Sequence, residues 1–436
     1  MARTTTTTGG RAATTGVIPG KWALSVGKPN IPAAPGFNWT ALSDIARLES
    51  GHTPSRRHPE YWDGEIPWIG IKDATGNHGR TIVSTLQTIT QAGLDNSSAR
   101  LLPAGTVCLS RTASVGYVVT MGVPMATSQD FVNWACGPDI SPHYLHYILI
   151  LEQDSVRRFA HGTTHQTVYY PEAKAFHVCI PDRTEQDRVV SVLGALDEKI
   201  SVNERTAATA RTLSQARGSQ ALMGLSGDSG PLGDYVEVTK GLSYRSSDLE
   251  PGGGHLVTLK CIDASGVFRQ RGLKPFSGVY KQSQVVEHGD VVVAQTDLTQ
   301  RAEVLGRAAR VVALNESDRL IASLDLAIVR PKTLLTSEYI DVLFGCREFR
   351  EHALSYANGT TVLHLGSPAI PEFTFTVPDR EAVAAVTRAT QSLFNVAVKA
   401  EREASALAAL RDTLLPQLMS GRLRVKDAEK IVEDHV

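Results

Sequence analysis

The sequence predicts a mixed α/β protein made of two tandem copies of one unit, each followed by a long helix, the two helices pairing as an antiparallel coiled coil. Three observations carry that prediction. First, His161-Gly162-Thr163-Thr164, Pro171, Phe176 and Pro181-Asp182-Arg183 recur as Asn358-Gly359-Thr360-Thr361, Pro368, Phe373 and Pro378-Asp379-Arg380, every pair offset by 197 residues without a gap. Self-similarity at a fixed period marks a repeated structural unit. Second, each Pro-Asp-Arg triplet closes a strand-like run, Phe176-His177-Val178-Cys179-Ile180 or Phe373-Thr374-Phe375-Thr376-Val377, and opens a stretch of helix formers. Third, those stretches carry apolar residues at alternating spacings of four and three, the seam of a coiled coil.

The elements follow in chain order. Residues 1–36 hold a Thr run, several prolines, Arg3, Arg11, Lys21 and Lys28 and no acidic residue. They read as a flexible leader, either a solvated tail or one that touches a polyanion. The first unit spans 37–183 and the central helix 184–220, with Thr184 as N-cap and Glu185 and Asp187 in the first turn. Its seam is Val189, Leu193, Leu196, Ile200, Asn203, Ala207, Ala210 and Leu213. A Gly, Ser and Pro cluster marks a linker at 221–231. The second unit spans 232–380, with looser echoes of the first: Leu42-Ser43-Asp44 against Leu232-Gly233-Asp234, Gly51 against Gly241, and 103–107 against 287–291. The last helix, 381–425, has Asp379 as N-cap and a seam of Val386, Leu393, Ala397, Ala400, Ala404, Leu407, Leu410 and Leu414. A charged tail, 426–436, follows.

Composition removes several classes of function. The 436 residues are 42% hydrophobic and 20% charged, the balance of a globular chain with several cores. Lys and Arg number 44 against 45 Asp and Glu, so a polyanionic partner would have to be met by local clusters. Five cysteines without a close pair fit neither a zinc knuckle nor a disulfide framework and suit a reducing, cytoplasmic setting. No apolar run is long enough for a membrane span. Phosphate-loop, dinucleotide and methyl-donor signatures are missing. Pro181-Asp182 with Asp197-Glu198-Lys199 imitates a nuclease pattern, but the second copy has Phe394-Asn395-Val396 at the corresponding place. The His161 and His165 pair is likewise replaced by Asn358 and Val362, which makes the segment a turn rather than a metal site.

The run from Glu49 to Ile69, with Gly51-His52-Thr53-Pro54 and Tyr61-Trp62-Asp63-Gly64-Glu65-Ile66-Pro67-Trp68, resembles the opening of a target-recognition domain in the specificity subunits of type I restriction–modification enzymes. The resemblance extends through Ala126-Thr127-Ser128-Gln129-Asp130-Phe131, Val293-Ala294-Gln295-Thr296-Asp297-Leu298-Thr299-Gln300, the Gly-Thr-Thr turns and the ending from Leu410 to Gly421. It implies a non-catalytic DNA reader: two target-recognition domains that grip the halves of a bipartite, gapped site while the helix pair fixes their separation. Two methyltransferase subunits would dock on it, bringing S-adenosylmethionine, and a motor nuclease subunit with ATP and Mg would join for cleavage; the chain itself needs no cofactor. A nuclease or methyltransferase fused to a recognition domain, or a scaffold for proteins alone, is the competing reading.

On that reading the DNA-facing candidates of the first domain are Thr53, Ser55, Arg56, Arg57 and Lys72, with Arg111, Gln129, Thr163, Thr164 and His165. An Arg pair flanked by small hydroxyls can fork onto guanine O6 and N7 and onto phosphates, or stand as a solvated loop. In the second domain they are Tyr244, Arg245, Lys260, a basic cluster of Arg269, Arg271 and Lys274, then Gln295, Thr296, Thr360, Thr361 and His364. The Gly-Thr-Thr turns either approach phosphate closely or merely lead into a strand. Leu193, Leu196, Ile200, Leu393, Leu407, Leu410 and Leu414 form the helix seam, whose outer faces remain for partners.

Overall fold

A computed structural model describes residues 16–112, 114–161, 166–313 and 319–434, which fall into two compact units. One joins the chain up to Lys199 with the segment from Leu407 onward; the other is Ile200–Ala406. In the first, a five-stranded sheet has the order Ala46–Ser50, Phe131–Cys136, Val107–Ser110, Val118–Met121, Arg80–Ile82, antiparallel except for the last pair. A three-stranded sheet sets Trp62–Ile69 between Ala126–Thr127 and Gln87–Ile89. The second unit repeats the arrangement with Val236–Lys240, Leu326–Pro331, Val291–Ala294 and Ala308–Arg310. Val291, Val292, Val293 and Ala294 are buried on both faces, which is why that strand reads as a continuous apolar run.

The loose upstream echoes of the sequence are structural equivalents. Gly51 and Gly241 each end the first strand of their sheet where another backbone crosses: a Cβ would lie 2.0 Å from the Ser128 carbonyl oxygen in one copy and 2.1 Å from that of Ser323 in the other. No residue with a side chain fits such an approach.

Two tail expectations are corrected. The described part of the 1–36 leader is not a loose tail, because Leu24–Val26 forms a strand between Ile18–Pro19 and Phe176–Ile180. Ala23, Leu24 and Val26 are buried, and the Glu152 carboxylate accepts the backbone N–H groups of Lys21, Trp22, Ala23 and Leu24. Composition hid this because the apolar run is short and its anchor lies in a distant segment. Nor is 426–436 wholly a charged tail: Val425–Glu433 is a helix, with Val425 and Ala428 buried one turn apart.

The long helices run Arg183–Met223 and Arg380–Met419. Asp182, not Thr184, caps the first, its carboxylate accepting Glu185 N–H at 2.9 Å, while Asp379 accepts Ala382 N–H at 2.8 Å as expected. Within the first unit Arg411 donates to Asp197 at 2.7 Å. Within the second, Ala207 and Ala210 pack with Ala397 and Ala400, Arg211 grips Glu401 through two nitrogens, and Ser214 donates to the Thr390 carbonyl. The partner number falls from 411 to 401 to 390 as the first helix advances from 197 to 211 to 214, so the helices pair antiparallel.

Leu193, Leu196, Leu407 and Leu414 are buried, as a seam requires, and Ile200 and Leu410 are half-buried. Two seam positions need correction. Leu213 is exposed, and Leu393 is half-buried because its neighbour Phe394, with Val398, fills the core of the second unit instead. This helix serves a globular core as well as its partner helix, and a second packing face displaces the strict seam.

Candidate nucleic-acid interface

In the first domain the segment after Gly51 turns over the three-stranded sheet. Trp68 donates through its indole nitrogen to the His52 carbonyl at 3.0 Å, and Trp62 stands edge-on to Trp68. The Arg56 guanidinium lies 3.5 Å above the Trp62 ring centroid and donates to the Gln87 side chain at 2.8 Å. A cation held flat on an indole keeps its orientation but gives up part of its freedom to search for a base. Arg57 and Ser55 are exposed beside it, while Lys72 is exposed on the short helix Ile71–Gly76. Thr53 donates to the Gln129 side chain, and Arg111 Nε donates to the Gln129 carbonyl at 3.1 Å. Burial draws the Arg111 pKa down from its ordinary value against the pull of Asp130.

One frame supports this edge in both copies. Arg111 N–H donates to the Asp130 carbonyl at 2.7 Å, Val168 N–H to the Arg111 carbonyl at 2.9 Å, and the Thr112 hydroxyl to the Asp130 carboxylate at 2.7 Å. In the second domain the same bonds run from Gln295 N–H to Asp325 at 2.7 Å, from Leu365 N–H to Gln295 at 2.8 Å, and from the Thr296 hydroxyl to the Asp325 carboxylate at 2.9 Å. The two Thr-to-carboxylate pairs hold their strand ends in one geometry. The side chains beside them differ: half-buried Arg111 and exposed Gln129 in one copy, half-buried Gln295, its amide nitrogen enclosed, and exposed Leu324 in the other.

The second Gly-Thr-Thr turn is built on that frame. Thr296 pairs with His364 and Asp297 with Leu363, and the Gln300 amide donates to the carbonyls of Thr360 at 2.7 Å and Thr361 at 3.2 Å. Thr360, Thr361 and His364 are exposed, and Gly359 takes φ +112°, a left-handed conformation suited to glycine. Thr163, Thr164 and His165 lie outside the described residues.

Other candidates are drawn elsewhere. Tyr244 is half-buried, its ring packed against the small apolar cluster of Leu242, Leu256, Phe276 and Ile321. Arg269 is tied to Asp263 at 2.7 Å, whereas Arg245, Lys260 and Arg271 are exposed and Lys274 is half-buried. Gln87, Gln300, Asp130 and Asp325 were missed by sequence reading. The recurrence of a Ser-x-Asp triplet, Ser128-Gln129-Asp130 and Ser323-Leu324-Asp325, was the available signal.

The nuclease-like carboxylates are structurally engaged. Asp182 caps a helix, and Asp197 accepts the Tyr147 hydroxyl at 2.5 Å as well as Arg411. Among the described residues no three His, Cys, Asp or Glu side chains gather as a metal site, and no helix is long and apolar enough to cross a membrane.

Residues 36–210 match a family model described as the type I restriction modification DNA specificity domain. Over 416 residues the chain is 22% identical to the type I restriction enzyme MjaIX specificity subunit of Methanocaldococcus jannaschii, covering 88% of this chain and 93% of that one. It is 28% identical over 167 residues to the type I restriction enzyme EcoR124I/EcoR124II specificity subunit of Escherichia coli, 36% of this chain and 40% of the relative. The crystal structure of a type I restriction–modification S subunit from M. genitalium shares the fold, with a TM-score of 0.57 at 15% identity, covering 89% of this chain and 98% of that one.

Proposed function

Because this chain belongs to the specificity subunits of type I restriction–modification enzymes, a family of recognition rather than catalytic subunits, we propose that it reads a bipartite, gapped sequence in double-stranded DNA, one domain for each half. The observation that carries this reading is the repeated frame. Thr112 with Asp130 and Thr296 with Asp325 fix equivalent strand ends, while the residues displayed from them differ between copies. A constant scaffold with a variable edge is what two half-sites of different sequence require, since base edges are distinguished by their donor and acceptor patterns. Thr53, Arg57, Arg111 and Gln129 supply such groups in the first domain, and Thr360, Thr361 and His364 in the second.

In this reading two methyltransferase subunits dock on the chain, bring S-adenosylmethionine and methylate one adenine in each half. A motor nuclease subunit carrying ATP and Mg joins for cleavage, and the assembly works in the cytoplasm. A near-neutral chain suits such a division, because partners can contribute to the phosphate grip while this subunit makes base contacts.

The test is an exchange. Residues 232–380 are replaced by the corresponding segment of another family member, and methylated adenines are mapped by sequencing in a host carrying the partner methyltransferase. One half of the recognised sequence should change; a change in both halves, or none, defeats the modular reading.

A further inference from the structure

Among the described residues, each domain carries a leucine that stands in solvent on a segment tied to a buried carboxylate. In the first it is Leu86, 71% exposed. Asp73, 5% exposed, accepts Leu86 N–H at 2.7 Å and Gly70 N–H at 2.9 Å, and the Thr85 hydroxyl donates to the Gln87 carbonyl at 2.7 Å. In the second it is Leu298, 73% exposed. Asp297, 2% exposed, accepts Thr299 N–H, the Thr299 hydroxyl, Val304 N–H and Leu305 N–H at 2.7 to 3.2 Å.

An exposed leucine alone needs no explanation on a protein surface. Two features set these apart. Their backbones are pinned by buried acceptors, so the loops cannot fold the side chains back into an apolar contact. Each also adjoins hydrogen-bonding groups of the interface: Leu86 precedes Gln87, which holds Arg56 over Trp62, and Leu298 lies between Thr296, paired with His364, and Gln300, which holds the Thr360 and Thr361 carbonyls.

We propose that Leu86 and Leu298 are specificity-determining contacts to the C5-methyl groups of thymines in the major groove, one in each half of the recognised sequence. A hydrogen-bonding edge tells bases apart through donors and acceptors, and the thymine methyl is the apolar feature that an apolar group reads favourably. This inference rests on the DNA-reading function proposed above and adds two apolar contacts to its hydrogen-bonding groups.

The experiment uses the chain assembled with its methyltransferase partner and a duplex carrying the sequence that this assembly methylates. Each thymine is replaced in turn by deoxyuridine, which removes the methyl and keeps the pairing edge. The wild-type assembly should lose about fourfold in affinity at one thymine in each half, the factor that one buried carbon is worth. Leu86→Ala should abolish that sensitivity in one half only and Leu298→Ala in the other, while Leu86→Met and Leu298→Met should retain it. Alanine variants that bind as the wild type does, or that stay sensitive at every thymine, overturn the proposal while leaving the recognition function standing. A wild-type assembly that prefers no duplex sequence overturns both.

Discussion

Removing the Glu152 carboxylate should release the N-terminal strand from the first unit. Glu152 is fully buried, and one of its oxygens accepts Trp22, Ala23 and Leu24 N–H at 2.5, 2.6 and 3.2 Å while the other accepts Lys21 N–H at 2.9 Å. In Glu152→Ala the Trp22, Ala23 and Leu24 donors lose this acceptor, while Lys21 N–H keeps the Ser155 hydroxyl at 3.1 Å. The two fully buried ones, on Ala23 and Leu24, cost about 1 to 3 kcal/mol each, about 2 to 6 together. The alternative is for the strand to detach and regain water, at the expense of burying Leu24 and Val26, about 1.5 to 3 kcal/mol each. Both routes meet near about 4 kcal/mol, and the second leaves the rest of the unit folded. Native-state amide exchange resolves such local opening where a global melt of a two-unit chain does not. Residues 21–26 should lose about 4 kcal/mol of protection in Glu152→Ala and about 1 to 2 in Glu152→Gln, which keeps one carbonyl acceptor. Undiminished protection of these amides in the alanine variant would refute the argument that the carboxylate holds the strand.

Three further outcomes are expected. The Asn203 side-chain nitrogen is buried in the helix pairing of the second unit without a hydrogen-bond partner, so Asn203→Ala should raise the urea midpoint, by an amount equivalent to about 1 kcal/mol; a lower midpoint contradicts this. Burial pushes the Asp341 carboxyl up to about 6, helped by Glu338 and opposed by Arg310 and Arg211. With the folded value above the unfolded one, its contribution to stability is complete below about pH 4 and is lost as pH rises through about 6, so Asp341→Asn should be the more stable protein at pH 7.5 but not at pH 4. Equal midpoints at both pH values would refute that titration. Gly241→Ala places a Cβ 2.1 Å from the Ser323 carbonyl oxygen and should destabilise the second unit by about 3 kcal/mol or more, seen as a loss of exchange protection in 236–240 and 326–331.

What was legible in the sequence follows from range. The duplication, the strand before each Pro-Asp-Arg and the helix after it are set by neighbouring residues, and they appear at 176–180, 374–376, 183–223 and 380–419. The helix seam was read through Leu193, Leu196, Leu407 and Leu414 but failed at Leu393, where the second packing partner of the helix is invisible to a one-dimensional period. The leader failed for the opposite reason: Leu24–Val26 has no strong local signal and becomes a strand because Glu152 and the Phe176–Ile180 edge wait for it far along the chain. At the interface, residue chemistry picked out Arg56 but not the indole beneath it, and picked out Tyr244 without the apolar cluster that claims it. Asp130 and Asp325, which orient two candidate edges without being displayed from them, had only a repeated triplet to mark them.

The first unit draws on both ends of the described chain, and this sets an order of completion during synthesis. Gly421 closes on Phe37 and Ala34, Arg422 lies over the Trp22 ring, and Arg411 reaches back to Asp197. A ribosome that has released residue 406 has delivered every residue of the second unit, yet the first, begun much earlier, still lacks Leu407, Leu414, Leu418 and Met419. The later domain can therefore finish folding first. A nascent chain broken off just after residue 406 would present its flaw in the earliest-made domain, as uncovered apolar surface of the kind that chaperones and proteases recognise.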